Sequence, residues 1–582
     1  MGRRPADRVL RGGTVVNVHT AELQRADVAI AEGRIALVGD ATHTIGQATE
    51  VIELDGMFLV PGLIDTHAHS ESTLVTVGPF AEAALAAGTT TTLIENHDTA
   101  NVYGVAGVEW MLAEVAEQRA KVILAVPACV PPMRSLEDSA ATLDPSDVRD
   151  LLENERVGAL GEMMNMIGTI GGDPRMLRMI GDTLDKGLIA TGHWSLSGWN
   201  DHRLQAYAAT GVDSCHESVS PEDALAKLRA GMWVQFREGS AFHDMAALAP
   251  ILTERLVDPR HIMFVTDDVD PEFLIREGHL DNAVRIAIQH GVDPISAIQC
   301  VTLAPAEYLG RRHDIGSIAP GRAADIVIVD DLAEFRPSRV FLDGEEIDRA
   351  AARRTAGGIH HYPPIARESV TVGAVAVEEL AINAPMAGSV DARIIGLVNR
   401  EVPTEHRIVR VPTTNGHIVP SVELDIAKLV LITRHGGPRQ TTLGLLQGLT
   451  LTRGALAQST ARDTHHLLAV GMNDDDIVTA ITEVERIGGG IVLVDEGKVT
   501  ASLRLPIAGL VSDQPLTDVA ADFRALGIAL ADLGCAIEHP TTMLALLAVS
   551  AIPELRIGNR GLIDSRAFEL VDVIADHQRE SV

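Results

Sequence analysis

The chain has 582 residues, long enough for about three to five domains. Apolar residues make up 46% and charged residues 22%, a composition that excludes wholesale disorder. With 48 Lys and Arg against 80 Asp and Glu, the formal net charge is −32, which argues against a nucleic-acid grip and against docking on an anionic membrane, since both need a basic face. Residues 9–60 read as β: 14–18 is a β-branched run, and 28–31 and 34–38 flank Glu32-Gly33 as a hairpin. From 63 to 309 short apolar runs alternate with amphipathic helical stretches. The strand candidates are 63–64, 91–94, 122–126, 159–160, 188–190, 232–236 and 262–265. The helices between them include 80–87, 106–119, 174–186, 221–230 and 282–290. Such alternation over some 250 residues predicts a parallel α/β sheet of the length a (β/α)8 barrel needs. β texture returns at 324–329 and 339–342. Beyond 363 lie a hairpin pattern at 491–494 and 498–505 and a helix at 516–533.

These elements predict three parts. Residues 1–60 and 311–362 form a small β-sandwich domain built from both flanks of the barrel, 61–310 form the barrel, and 363–582 form a C-terminal α+β domain. Cys129, Cys215, Cys300 and Cys535 lie far apart, with no Cys-x-x-Cys, so a disulfide framework or a cysteine-built zinc site is not expected and a reducing cytoplasm fits. The charged start meets no long apolar core, so no signal peptide is expected. The apolar run 543–552 is too short to span a bilayer.

The strongest chemical signal is Pro61-Gly62-Leu63-Ile64-Asp65-Thr66-His67-Ala68-His69. Positions i and i+2 of a strand face one way, so His67 and His69 can hold one ion at a barrel strand's C-terminal end. Further donors stand at later strand exits: Glu162, His193, His216, and Asp267 or Asp268. Each alone also reads as a cap or a satisfied core histidine; the series in strand order favours a shared site. The mixture suits zinc, iron or manganese, and is enough for two ions that would supply hydroxide near neutral pH. Trp194 and Trp199 could stack on a flat heterocycle, with core packing as the alternative. His69-Ser70-Glu71 spells His-x-Glu, but no Pro-Cys-x-x-Cys completes a cytidine-deaminase type of zinc site.

The chain resembles the amidohydrolase superfamily and, within it, the bacterial adenine deaminases. The resemblance runs through residues 61–72 and 88–91, then Gly161-Glu162-Met163-Met164-Asn165, Arg237-Glu238-Gly239-Ser240, Thr266-Asp267-Asp268, 277–281 and 318–329. It continues in Thr433-Arg434-His435-Gly436, 487–492 and 505–513, so it covers nearly the whole chain. It implies two divalent ions: His67 and His69 with Asp267 on one, His193 and His216 on the other, and Glu162 bridging. Asp268 leaves the aspartate assignment open by one position. It implies hydrolytic deamination: hydroxide adds to C6 of adenine, and a carboxylate (Glu162, Asp267 or Asp268) moves the proton towards the ring and the leaving amine. Ammonia departs and hypoxanthine remains. The implied catalytic groups are Glu162, Asp267, Asp268 and His97. The implied substrate-binding groups are Glu71, Glu95, Asp98, Arg237, Arg462 and His465.

Two segments depart from the family pattern. Its Asp-Pro-His-Glu is Glu95-Asn96-His97-Asp98 here, and its Ala-His-Asp-Ser-His-Asn is Ala461-Arg462-Asp463-Thr464-His465-His466. The first shifts each carboxylate by a methylene; the second puts a permanent cation where an imidazole stands. An N6-substituted purine, or a cyclic amide or N-acyl substrate, is therefore the alternative, and a non-catalytic scaffold a third reading that the full donor set disfavours. The expected partner is a small molecule, with no nucleic acid and no membrane. A homo-oligomer in the cytoplasm is expected.

Overall fold

The computed structural model describes residues 4–196, 198, 200–354, 360–384, 388–399 and 401–575. The N-terminal strands are β1 (Arg8–Asn17), β2 (Glu22–Ala31), β3 (Arg34–Gly39), β4 (Glu50–Glu53) and β5 (Phe58–Pro61). The barrel strands are β6 (Leu63–His69), β7 (Thr89–Glu95), β8 (Lys121–Val126), β9 (Val157–Met163), β10 (Ile189–Gly192), β11 (Ser214–Cys215), β12 (Trp233–Arg237) and β13 (Ile262–Val265), with β14 (Asp267–Asp268) continuing β13 past Thr266. After the barrel come β15 (Ile326–Val329), β16 (Pro337–Leu342) and β17 (Glu345–Glu346).

The two flanks form one hydrogen-bonded sheet in the order β17-β16-β15-β5-β1-β2-β3, with β4 on β1. The join is the antiparallel pair β5–β15, in which Pro61 lies opposite Ile326. One face of this sheet packs around Leu10, Val28, Ile30, Ile326 and Phe341. The barrel strands run parallel in the order β10-β9-β8-β7-β6-β14 and β11-β12-β13. A bridge between Ala190 and Val212 links β10 to the segment before β11, and the pairing of Asp267 and Asp268 with Ala68 and His69 closes the ring. Both faces of β6 and β7 are buried, as expected of parallel strands covered by helices.

Two sequence expectations shift here. The strand β11 has only two residues, too short to show as an apolar run, so seven of the eight barrel strands were visible in that form. The helix expected from 106 starts at His97: its first turns are polar, and Gly104, at φ +59°, breaks the helical backbone just before the apolar part begins.

In the C-terminal region, Gly388–Val398 and Glu401–Thr414 form a long hairpin. The mixed sheet continues through Thr441–Gln447, Ile426–Ile432, Leu467–Gly471, Ala455–Gln458, Gly490–Asp495 and Lys498–Arg504. Helices Asp474–Arg486 and Leu516–Asp532 accompany it. Its apolar core is continuous with the barrel's: Phe80, Leu85 and Met111 belong to the same cluster as Leu456, Leu505 and Leu510. Two of its segments reach over the C-terminal end of the barrel, the loop 459–466 and the stretch 540–553. A fully buried arginine anchors each. Arg434 donates to the carbonyls of His465, Ser369, Ser459 and Ala508 and to Ser369 Oγ. Arg556 donates to the carbonyls of Ile552, Leu546, Val402 and Pro553. Burial pushes both guanidinium groups below the usual arginine range. Every partner named here is neutral, so these cations serve as hubs for backbone carbonyls whose hydrogen bonds would otherwise be unmade.

Candidate metal centre and active site

The predicted donors converge at the C-terminal end of the barrel, all buried. His67 and His69 leave β6 on one face, and their rings meet edge to face with centroids 4.9 Å apart. Asp267 Oδ1 stands 3.7 Å from His67 Nε2 and 3.5 Å from His69 Nε2. Glu162, at the end of β9, places Oε1 3.6 Å from His69 Nε2 and Oε2 3.2 Å from His216 Nε2, and also hydrogen-bonds His193 Nδ1. His67 stacks on His216, centroids 3.9 Å apart. Triads with ligand atoms close enough to share an ion include His67, His216 and Asp267; His67, His69 and Glu162; and Glu162, His193 and His216. Another, of His69, Asp267 and Asp268, overlaps them.

The donor chemistry fits divalent cations. His67 Nε2, 3.7 Å from Asp267 Oδ1, is buried and has no hydrogen-bond partner among the described residues. Buried polar atoms left this way need a partner of another kind. His69 Nδ1 faces the Glu95 carbonyl at 2.8 Å; donating there leaves Nε2 as a lone pair aimed at Glu162 and Asp267, the arrangement a metal-binding imidazole adopts. Burial, with His216 and His69 nearby, holds His67 well below the usual imidazole range, so it stays a neutral donor. Burial opposes ionisation of Glu162, but His193 and His216 hold it well below the usual carboxylate range. Burial and Asp268 push Asp267 up to about 7.

The two neighbouring aspartates separate by environment. Asp267, at φ +56°, faces the imidazoles, and its Oδ2 lies 3.4 Å from Arg237. Asp268 is held by Arg462 and Ser72 Oγ. Arg462 also donates to Ser72 Oγ at 2.7 Å and lies 3.5 Å from Asp98. The loop bearing Arg462 thus reaches the site, but its charge answers two carboxylates of the barrel. His465 Nε2 contacts Asp98 at 2.7 Å. His97 lies 3.6 Å from Glu162 Oε1 through Nδ1 and 3.0 Å from Asp463 Oδ1 through Nε2. Glu95 Oε2 accepts the Glu162 amide at 2.7 Å, which fixes the backbone at the end of β9. Glu71 accepts from the Thr99 amide and hydroxyl.

The cavity against the donors is lined by His69, His97, Glu162, His193, His216, Asp267, Asp268 and Arg462, and roofed by Phe242, Leu546, Val549 and Ile552. Glu71, Asp98 and His465 line a different space behind Arg462, and Arg237 lines an outer one. Trp194 is fully buried against Tyr207 and lines none of these, so core packing is its role; Trp199 lies outside the described residues. Sequence reading missed two groups at the site. Glu217 ion-pairs with Arg237 and lies 3.4 Å from His216 Nε2; burial opposes its ionisation, and Arg237 with His193 holds it down at about 2. Its signal was its place one residue after His216, on the same strand exit. Asp463, which clamps His97, had only its membership of the 461–466 motif.

Among the described residues, no helix is long and apolar enough to cross a membrane. Residues 58–347 match the model of the amidohydrolase family, and residues 401–569 match that of the adenine deaminase C-terminal domain. The chain is 43% identical to an adenine deaminase of Moorella thermoacetica, over 98% of this chain and 96% of that one. It is 40% identical to an adenine deaminase of Rubrobacter xylanophilus, over 99% and 96%. It is 39% identical to adenine deaminase 3 of Rhizobium meliloti, over 99% and 97%. The chain belongs to the adenine deaminase family of the amidohydrolases.

Proposed function

We propose that this protein hydrolyses adenine to hypoxanthine and ammonia at a site for two divalent ions. The observation that carries the reading is the cluster of Glu162, four imidazoles and Asp267, all buried, whose ligand atoms group into triads close enough to share an ion. His67, His69 and Asp267 would hold one ion and His193 and His216 the other, with Glu162 shared; zinc, iron and manganese all suit these donors. When bound, such ions lower the pKa of water enough to supply hydroxide near neutral pH.

The chain's own residues do the rest. Asp268, fixed by Arg462 and Ser72, stands beside Asp267 as the carboxylate that moves a proton towards the purine ring and the leaving amine. Glu162 is the second carboxylate able to do so. His97, held by Asp463, presents its other nitrogen beside Glu162 and is placed to hydrogen-bond the substrate. The roof of Phe242, Leu546, Val549 and Ile552 excludes water and faces a flat base. An outer cavity of about 290 Å³ shares Glu217, Phe242 and Ile552 with the metal-side cavity and is the entry path for the base. Because Arg462 is engaged by Asp268 and Asp98, a neutral base fits better than an anionic substrate. Glu95 and Arg237 support the ligands from behind, at Glu162 and Asp267 respectively.

The composite β domain, barrel and C-terminal domain, with borders near 60, 310 and 362, complete the reading, as do a cytoplasmic homo-oligomer and a small-molecule partner only. The test is to load the full chain with manganese, iron or zinc, add adenine, and follow its absorbance and ammonia release. Two metals per chain without ammonia would overturn the adenine reading; turnover of cyclic amides or N-acyl compounds instead would favour the alternative.

A further inference from the structure

Three cavities lie in series through the site. The outer one meets the metal-side cavity at Glu217, Phe242 and Ile552. On the opposite side, Asp268 and Arg462 form a wall shared with an inner cavity of about 30 Å³. The outer and inner spaces have no lining residue in common. The inner cavity exceeds the roughly 10–15 Å³ that one water-sized group needs.

Four carboxylates face it: Glu71, Asp98, Asp268 and Asp270. Arg462 answers Asp268 and Asp98, and His539 contacts Asp270 at 2.6 Å. Glu71 is different. It is 2% exposed, its Oε1 accepts from the Thr99 amide and hydroxyl, and its Oε2 has no hydrogen-bond partner among the described residues. A buried carboxylate oxygen in that position calls for a donor. The rest of the wall is mixed: Leu74, Leu510 and Phe523 alternate with hydroxyl-bearing residues such as Ser240, Thr460 and Thr541, whose oxygens can accept from a small cation. A water-sized, monovalent cation with several N–H donors meets all of these conditions.

We propose that the inner cavity binds ammonium, with Glu71 Oε2 as its principal acceptor, and that it receives the nitrogen released on the metal side across the Asp268–Arg462 wall. Adenine and water give hypoxanthine and ammonia, and ammonia takes a proton from water to become ammonium. The base therefore enters from the outer cavity and the nitrogen leaves by the inner one. Naming ammonium as a product rests on the deaminase reading; the cavity's preference for it does not.

The test uses the metal-loaded full chain. Its melting temperature is compared in ammonium, potassium and sodium chloride at equal ionic strength, and inhibition of adenine turnover by added ammonium chloride is measured alongside inhibition by hypoxanthine. The expected result is a rise of about 2 °C or more in ammonium over both other salts. In Glu71→Gln that rise is lost and the half-inhibitory ammonium concentration increases about tenfold, while hypoxanthine inhibits as before. Ala545→Met, which fills the same space, should also abolish the ammonium response and keeps the test open if Glu71→Gln does not fold. Equal responses to the three salts, or a Glu71→Gln protein that responds as the parent does, overturn the proposal. An ammonium-specific rise in a chain that does not turn over adenine upholds the cavity and overturns the deaminase reading instead.

Discussion

Replacing Arg462 with methionine keeps the stem and removes the charge. Asp98 Oδ2 lies 3.5 Å from the guanidinium, and Asp268 is in direct contact. At an effective dielectric of about 20, a pair at that distance is worth about 4–5 kcal/mol. His97 and His465 remain beside Asp98 and recover part of it, so about 2–3 kcal/mol, or about two pH units, is the expected net effect on each carboxylate. Burial pushes both carboxyls up, and Arg462 is the main force holding them below their usual range. Depressed carboxyls contribute stability above their unfolded value near 4, and that contribution fades as pH falls through the folded value. Arg462→Met should therefore melt earlier than the parent from pH 7 down to about pH 4, with the gap closing below that. The acid limb of its kcat/KM profile for adenine should move up by about two pH units, and Arg462→Lys should restore most of both effects. The measurements are melting curves from pH 2.5 to 8.5 and initial rates of metal-loaded protein from pH 4.5 to 8.5. An unchanged acid limb together with an unchanged melting temperature at pH 7 would refute the claim that Arg462 sets the charge state of these aspartates.

Glu162→Gln should leave the circular dichroism spectrum unchanged but reduce bound metal from two per chain to fewer than one by elemental analysis, with turnover down at least about 100-fold, since even outer-shell changes cost that much. Arg434→Met strips the hydrogen bond from five buried oxygens and should destabilise the chain by about 3–5 kcal/mol in denaturant melts, with Arg434→Lys intermediate. It should also lower kcat, because the loop 459–466 loses its anchor. Glu137, buried under the barrel–C-terminal contact and bonded by Ser550 Oγ at 2.7 Å and the Met133 amide at 3.0 Å, is pushed by burial up to about 8. A raised carboxyl contributes stability below its unfolded value near 4.5 that is lost as pH rises through the folded one. Glu137→Gln should therefore gain stability relative to the parent between pH 5 and pH 8, read as a melting-temperature difference that grows with pH.

The metal donors were legible in the sequence because each sits at the exit of a strand, and strand order maps directly onto position around a closed barrel. His67 and His69 needed only the two-residue period of β6. What the sequence could not show was how separate parts of the chain meet. His97 meets Asp463 from 366 positions away, and Arg462 meets Asp268 from 194. No periodicity encodes such contacts; they follow from the C-terminal sheet docking its core onto the barrel. That docking also divides the residues singled out as substrate groups: Glu71, Asp98 and His465 end on the inner side of the Arg462–Asp268 wall, while Arg237 faces the outer cavity. The strand before His216 left the faintest mark, as the end of the 211–215 run and not as an apolar run, since Ser214–Cys215 is only two residues long.

The flanking sheet has a consequence for how the chain assembles. β5 finds its partner β15 only after the whole barrel has been made, since Pro61 pairs with Ile326. On the ribosome, β1, β2, β3 and β5 emerge first and can pair among themselves, but β5 carries an open edge until some 260 further residues follow. Closing that edge is a contact of very high sequence separation, so it comes late and sets a slow step in folding. Until then, the row Phe58–Pro61 presents an open edge that could pair with another copy.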